Sequence, residues 1–377
     1  MKNIILLLLL LVSINAKYLD SKSCNECHEN IYYEHSKSMH SNSSLFKDEF
    51  HRKMKEANFP NKYKCAVCHI PASKDLDKLI SGKFQPSHTK RQLDGVSCVY
   101  CHSITAIKKS HTQNSNKTTL NREGKLMVYG MLNNPGESDK HDSLSLPKRF
   151  NIFANSKVCM GCHSHKRNDS HDVEVCQISQ DIDNYKQTDC IGCHMPKFPG
   201  DLTKINKKGR LEYASHEFLG IRSDVMVKKA VKLSLKKIDN THIKLTIENK
   251  MGHQILLQPM RLKYVKTTII REGKIIWNNF VDSPYEDKEV TFSKLFIDDN
   301  GKQVYPPKAS AIKYYTNLDT FQSKDVIYEV PKLQNGDEIK SVWISYPIRP
   351  SLAKELNITD LANTKKYIGS TAEIVIK

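Results

Sequence analysis

The chain has 377 residues, 39% of them hydrophobic, and a formal net charge of +17 at pH 7. That length accommodates two or three domains, and the basic balance raises nucleic acid, an anionic membrane surface or acidic proteins as partners. Beyond the first residues no stretch is apolar enough to span a bilayer.

Residues 2–16 read as a cleaved export signal. Lys2 supplies the positive start, Ile4–Val12 the apolar run, and Ile14-Asn15-Ala16 a small-residue cleavage site. Export predicts a periplasmic address and argues against nucleic acid as a partner.

The next segment carries five copies of one motif: Cys24-Asn-Glu-Cys27-His28, Cys65-Ala-Val-Cys68-His69, Cys98-Val-Tyr-Cys101-His102, Cys159-Met-Gly-Cys162-His163 and Cys190-Ile-Gly-Cys193-His194. Cys-x-x-Cys-His is the attachment signature of c-type haem. Each thiol adds to one vinyl group on the same porphyrin edge, and the adjoining imidazole turns onto the ring face and binds the iron. Zinc sites and disulfides also use paired cysteines, but neither requires His after every pair. The motifs therefore predict five covalently attached haem c groups, with only Cys176 left over, read as an inert buried thiol. Five haems carry about ten propionates, which accounts for much of the lysine excess.

Between the motifs, Asn25–His40, Ser44–Ala57 and Asp75–Ser81 have the pattern of short helices. The polar stretch Ile107–Arg122 reads as an exposed loop. Little side-chain hydrophobicity is available for a core, and haem plates are expected to supply it. After Gly220 the period changes to two. Strands are expected at Val225–Ile238, His242–Glu248, Leu262–Ile270, Lys274–Phe280, Val290–Ile297, Ala311–Tyr315, Val326–Val330, Glu338–Tyr346 and Ala372–Ile376. The fold class that follows is an irregular multihaem domain with a few short helices (17–222), then an all-β, immunoglobulin-like sandwich (223–377).

Sixteen histidines leave eleven outside the motifs, enough to cap every iron on its second face. Over residues 20–220 the sequence resembles multihaem cytochromes of the c-554 type, related to hydroxylamine oxidoreductase and pentahaem nitrite reductase. Cys24–His40 looks like that family's first motif followed by a Ser-x-His ligand, here His40. Gly95-Val-Ser-Cys98 with His111 downstream, and Tyr129-Gly130 followed by His141, resemble further family segments and imply both histidines as ligands. Cys190–Pro196 followed by Ser215-His216 is the best match and implies His216. Glu248-Asn-Lys-Met-Gly252-His253 is similar to a turn of β-domains appended to such cytochromes, which implies His253. His88, ahead of the third motif, is a sixth candidate for five places. His35, His51, His165, His171 and His242 are read as structural or surface residues.

These observations favour a periplasmic electron-transfer cytochrome with closely packed, mostly bis-histidine haems, exchanging electrons with a quinol dehydrogenase or terminal reductase. The alternative is an oxidoreductase acting on a small nitrogen or sulfur oxyanion or related compound (nitrite, hydroxylamine, sulfite, tetrathionate) at one open-faced haem. Nitrite reductases of this type commonly use a Cys-x-x-Cys-Lys haem, whereas all five motifs here end in His.

Overall fold

The computed structural model describes residues 18–377 apart from 121–125, 133–134, 136–137, 146–151, 155, 178–188 and 205–208. The export signal expected at 2–16 lies outside the described residues. The first half is built from short pieces: α1 (Glu29–Lys37), α2 (Glu49–Asn58), α3 (Ala66–His69), α4 (Leu76–Ser81), α5 (Lys90–Leu93), α6 (Cys98–His102) and α7 (Cys190–His194). Two 3-10 turns, Ser21–Glu26 and Lys157–Gly161, hold Cys24 and Cys159, with Cys27 and Cys162 as their C-caps. Each motif thus sits on a turn of helix. That explains its spacing, because residues three and four apart share one face. Local caps start these pieces: Asp20 accepts from the Ser23 amide, Asp48 from the Phe50 and His51 amides, and Ser97 from the Tyr100 amide.

Small two-stranded ribbons link the motifs. β1 (Ile104–Lys108) pairs antiparallel with β2 (Ser115–Thr118), and β3 (Leu126–Gly130) runs parallel to β4 (His141–Ser145). β5 (His165–Arg167) and β6 (Glu174–Gln177) pair antiparallel, as do β7 (Lys197–Pro199) and β8 (Glu212–Ala214). The expected Ile107–Arg122 loop is therefore partly a hairpin. Ile104, buried in a cluster with Tyr100, Tyr129 and Phe153, pins its first strand.

The C-terminal part opens with α8 (Asp224–Ala230), where a strand was expected from Val225. Ser223 caps it by accepting from the Met226 amide, with Asp224 in its first turn and Lys228 and Lys229 in its last. The strand begins only at Val231. β9 (Val231–Lys237), β10 (His242–Asn249), β11 (Leu262–Arg271), β12 (Lys274–Asn278), β13 (Thr291–Phe292) and β14 (Lys294–Ile297) follow. Next come β15 (Gln303–Val304), β16 (Ala311–Tyr315), β17 (Ser323–Glu329), β18 (Glu338–Tyr346), helices α9 (Pro350–Glu355) and α10 (Leu361–Thr364), and β19 (Tyr367–Val375).

One sheet has the order β17-β10-β9, a second β12-β11-β18-β19 with β13 added to β11, and a third β15-β14-β16. The first two share a core of Leu233, Leu245, Ile247, Val265, Phe292 and Trp343. Period-two burial along β10 puts Ile243, Leu245 and Ile247 fully inside, each worth about 1.5–3 kcal/mol when removed from water.

The two halves meet along a broad seam. Phe50 and Met54 of α2 pack against Ile348 and Leu352. Asn168 Nδ2 donates to the Ala309 carbonyl at 2.6 Å, and Lys294, 6% exposed, pairs with Glu174 at 3.1 Å. Among the described residues no helix is long and apolar enough to cross a membrane.

Trp343 is 1% exposed and packs on Phe292 at 5.6 Å. Trp343→Ala is expected to lower stability by about 3–5 kcal/mol, measured as a shift of the urea midpoint followed by far-ultraviolet circular dichroism.

Candidate haem sites

Two imidazoles that bind one metal from opposite sides, each through a bond of about 2 Å, hold their ring centroids on the order of 6 Å apart. Four motif histidines have such a partner. His28 faces His141 at 6.5 Å, His102 faces His216 at 6.3 Å, His194 faces His253 at 6.3 Å, and His163 faces His40 at 5.9 Å. The first three pairs are stacked within 26° of parallel, and the fourth is crossed at 64°.

The other ring nitrogen is the second half of the geometry. Nδ1 of His28 is 2.8 Å from the Leu202 carbonyl, and that of His102 is 2.7 Å from the Tyr129 carbonyl. Nδ1 of His216 is 2.9 Å from the Ala214 carbonyl, and that of His253 is 2.8 Å from the Gln254 carbonyl. His194 bonds the Leu219 carbonyl in the same way. A carbonyl can only accept, so Nδ1 carries the proton and Nε2 keeps its lone pair for a metal. Burial holds several of these rings neutral. It pushes His40 and His216 down to about 3 and His163 and His253 down to about 4, with neighbouring histidines adding to the effect. Neutral imidazole is the form that ligates.

Supporting residues fix the partners. Glu34, buried on α1, accepts from the Tyr213 hydroxyl and from the His216 amide, each at 2.8 Å. Phe218, with φ at 51°, stands edge-on to both His40 (4.3 Å) and His216 (5.8 Å). A bulky residue in left-handed backbone is costly and persists only where its surroundings impose it. Here it separates two buried rings. Nothing in the sequence marks Phe218 or Glu34, because both act through contacts with distant segments.

The fifth motif histidine, His69, has His51 beside it, a residue expected to be structural. Their centroids are 3.8 Å apart at 49°. That is narrower than two-sided ligation needs, so His51 must swing outward for a metal to enter. His51 Nδ1 lies 2.8 Å from Asp48 Oδ2, and Asp48 is 4% exposed. Burial pushes the Asp48 carboxyl up, but the His51 hydrogen bond and charge, with Arg222 nearby, bring it net below its ordinary range.

Two expected ligands stand elsewhere. His88 is exposed and stacks on Phe46 at 4.1 Å. His111 is 73% exposed and pairs with Asp172 at 2.9 Å. Neither faces a motif histidine, because a surface carboxylate holds one and an aromatic ring the other. Cys176 belongs to no motif pair, and burial, with Cys68 within electrostatic reach, pushes its thiol up to about 11.

The motif cysteines also approach one another. Cys24 lies near Cys98, Cys68 near Cys162, and Cys159 near Cys190, each close enough to perturb the other's ionisation. Next to the Cys68–Cys162 contact is a cavity of about 450 Å³ lined by Val67, Pro71, Lys74, Tyr100, Asn116 and Cys162. Asn116 Oδ1 is buried there without a partner. The donor set of paired thiols, neutral imidazoles and space between motifs fits covalently bound haem.

Comparison with known proteins agrees. Residues 23–103 match the family described as cytochrome c554 and c-prime. Among solved structures, the chain is similar to a penta-haem cytochrome c552 from Thermochromatium tepidum, with a TM-score of 0.74 and 22% identity, covering 95% of this chain and 99% of that one. No curated protein matches. The five motifs and their paired histidines are the donor set of covalently bound haem c. Residues 23–103 are similar to the cytochrome c554 family, and the fold of nearly the whole chain is similar to that of the penta-haem cytochrome.

The buried histidines set a pH dependence. Unfolded, they bind protons near their ordinary value of about 6.5, whereas folded they resist protonation down to about 3 or 4. The unfolded state therefore takes up more protons in that window, and stability falls as pH drops through it. Iron ligation would oppose protonation of the same rings, so urea midpoints of the holoprotein are expected to decrease from pH 7 to pH 4.

Proposed function

We propose that the chain is an exported, periplasmic electron carrier with five haems, each iron held between a motif histidine and a second histidine. The pairs are His28/His141, His69/His51, His102/His216, His163/His40 and His194/His253. The observation that carries this reading is that the ring pairs use every motif histidine once and each partner once. Two protein ligands change little between oxidation states and favour rapid transfer over substrate binding.

The thiol contacts support an order for the relay. They bring the first motif to the third, the second to the fourth, and the fourth to the fifth. Cys101 lies within electrostatic reach of Cys159 and Cys162, which links third to fourth. In this reading the fourth haem is the branch point between one end at Cys24–His28 and two further haems. Electrons enter from a quinol dehydrogenase or similar donor and leave to a terminal reductase. The C-terminal part, read as an immunoglobulin-like sandwich, closes the array and supplies His253 to the fifth haem.

One observation favours the enzymatic reading at a single place. The crowded His51/His69 pair lies on the second motif, close to the 450 Å³ cavity that reaches Tyr100 and Lys74. If any iron has an open face for a small nitrogen or sulfur compound, it is the one held by Cys65, Cys68 and His69.

Pyridine haemochrome quantification is expected to return five haems per chain; two or fewer would refute the reading. In His253→Ala, electron paramagnetic resonance of the oxidised protein should show one haem turned high-spin and the others low-spin. An unchanged spectrum would remove the β-domain from the ligand set.

A further inference from the structure

The hydrogen bonds to the second ring nitrogens are not all alike. His28, His102, His194, His216 and His253 each direct Nδ1 to a neutral backbone carbonyl. His51 instead directs Nδ1 to a carboxylate, Asp48 Oδ2 at 2.8 Å. Asp48 is fixed by its other oxygen, which accepts the Phe50 amide at 2.8 Å and the His51 amide at 3.3 Å as the cap of α2. Its side chain is 2% exposed, so water does not screen it. Arg222, whose charge also reaches Asp48, turns its N–H groups to the Ala362 carbonyl and Asn363 Oδ1 and leaves Oδ2 to His51.

We infer that Asp48 is a positioning residue that lowers the reduction potential of the haem held by Cys65, Cys68 and His69, acting through His51. This rests on the proposed role of His51 as that haem's second ligand. A carboxylate that accepts the Nδ1 proton raises the electron-donating strength of Nε2. A stronger donor favours the oxidised, more positive iron, so the potential drops relative to haems whose ligands face carbonyls. Position adds a consequence. Cys68 and Cys162 are close enough to perturb each other's ionisation, which puts this haem beside the fourth in the proposed relay, so its potential decides whether electrons leave the branch point toward it.

The test is a spectroelectrochemical titration of the full holoprotein, comparing wild type with Asp48→Asn and Asp48→Ser. Both variants keep an oxygen able to cap α2, and both remove the negative charge. The expected result is one haem of the five moving to higher potential in each variant, the rest unmoved, with a changed resonance signature for that haem alone. His51→Ala separates the two layers of the argument. If it turns one haem high-spin while the Asp48 variants shift no potential, the tuning role is overturned and the ligand assignment stands. If it leaves every haem low-spin, the assignment falls and the tuning role with it. A uniform shift of all five potentials would indicate a general structural effect and would also overturn the inference.

Discussion

The structure depends on the requirement that two sulfurs and an imidazole reach one porphyrin edge and face together. A turn of helix meets it, because residues three and four apart project from the same side. All five motifs occupy such turns. Short helices, tight caps and two-stranded ribbons are what remains when a chain must present these turns repeatedly and has few apolar side chains between them. The usual long amphipathic elements are absent from the described residues of the first half, where the side-chain clusters that form are small.

A second constraint turns this string of turns into a tertiary structure. The partner of a motif histidine never comes from its own motif, and every ring pair except His69/His51 joins segments far apart in sequence. His40 after the first motif meets His163 of the fourth, His141 returns to the first, and His216 returns to the third. His253, from the turn after β10, meets His194 and ties the β-sheets to the array. The seam through α2, Asn168 and Lys294 joins the same two halves. Neutral, buried imidazoles with a proton fixed on Nδ1 are costly to assemble in water, and backbone carbonyls offset that cost one ring at a time.

The motifs and most strands could be read from the sequence because both are local. Cys-x-x-Cys-His needs only five consecutive residues, and period-two burial in β10, β11 and β18 follows directly from the apolar alternation. Where a local pattern was ambiguous, caps decided. Val225 onward alternates like a strand, yet Ser223 and the lysines at its end make it α8. Partner histidines have no local signature. His40, His141, His216 and His253 were approached only through family resemblance, whereas His51 looks like one more polar residue on a helix whose first turn it shares with Glu49. Its setting becomes visible only once Asp48 and His69 are seen around it. His111 shows the reverse: the sequence places it downstream of a haem motif, but in space it belongs to a surface ion pair.

The central claim is that two imidazoles hold every iron. Near-infrared magnetic circular dichroism of the oxidised protein, calibrated against its iron content, counts bis-imidazole haems directly. The account predicts that the signal accounts for all five irons of the chain. A signal accounting for only four, with the missing iron assigned to the Cys65–His69 site, would contradict electron transfer as the sole role and point to an open, substrate-accessible haem there.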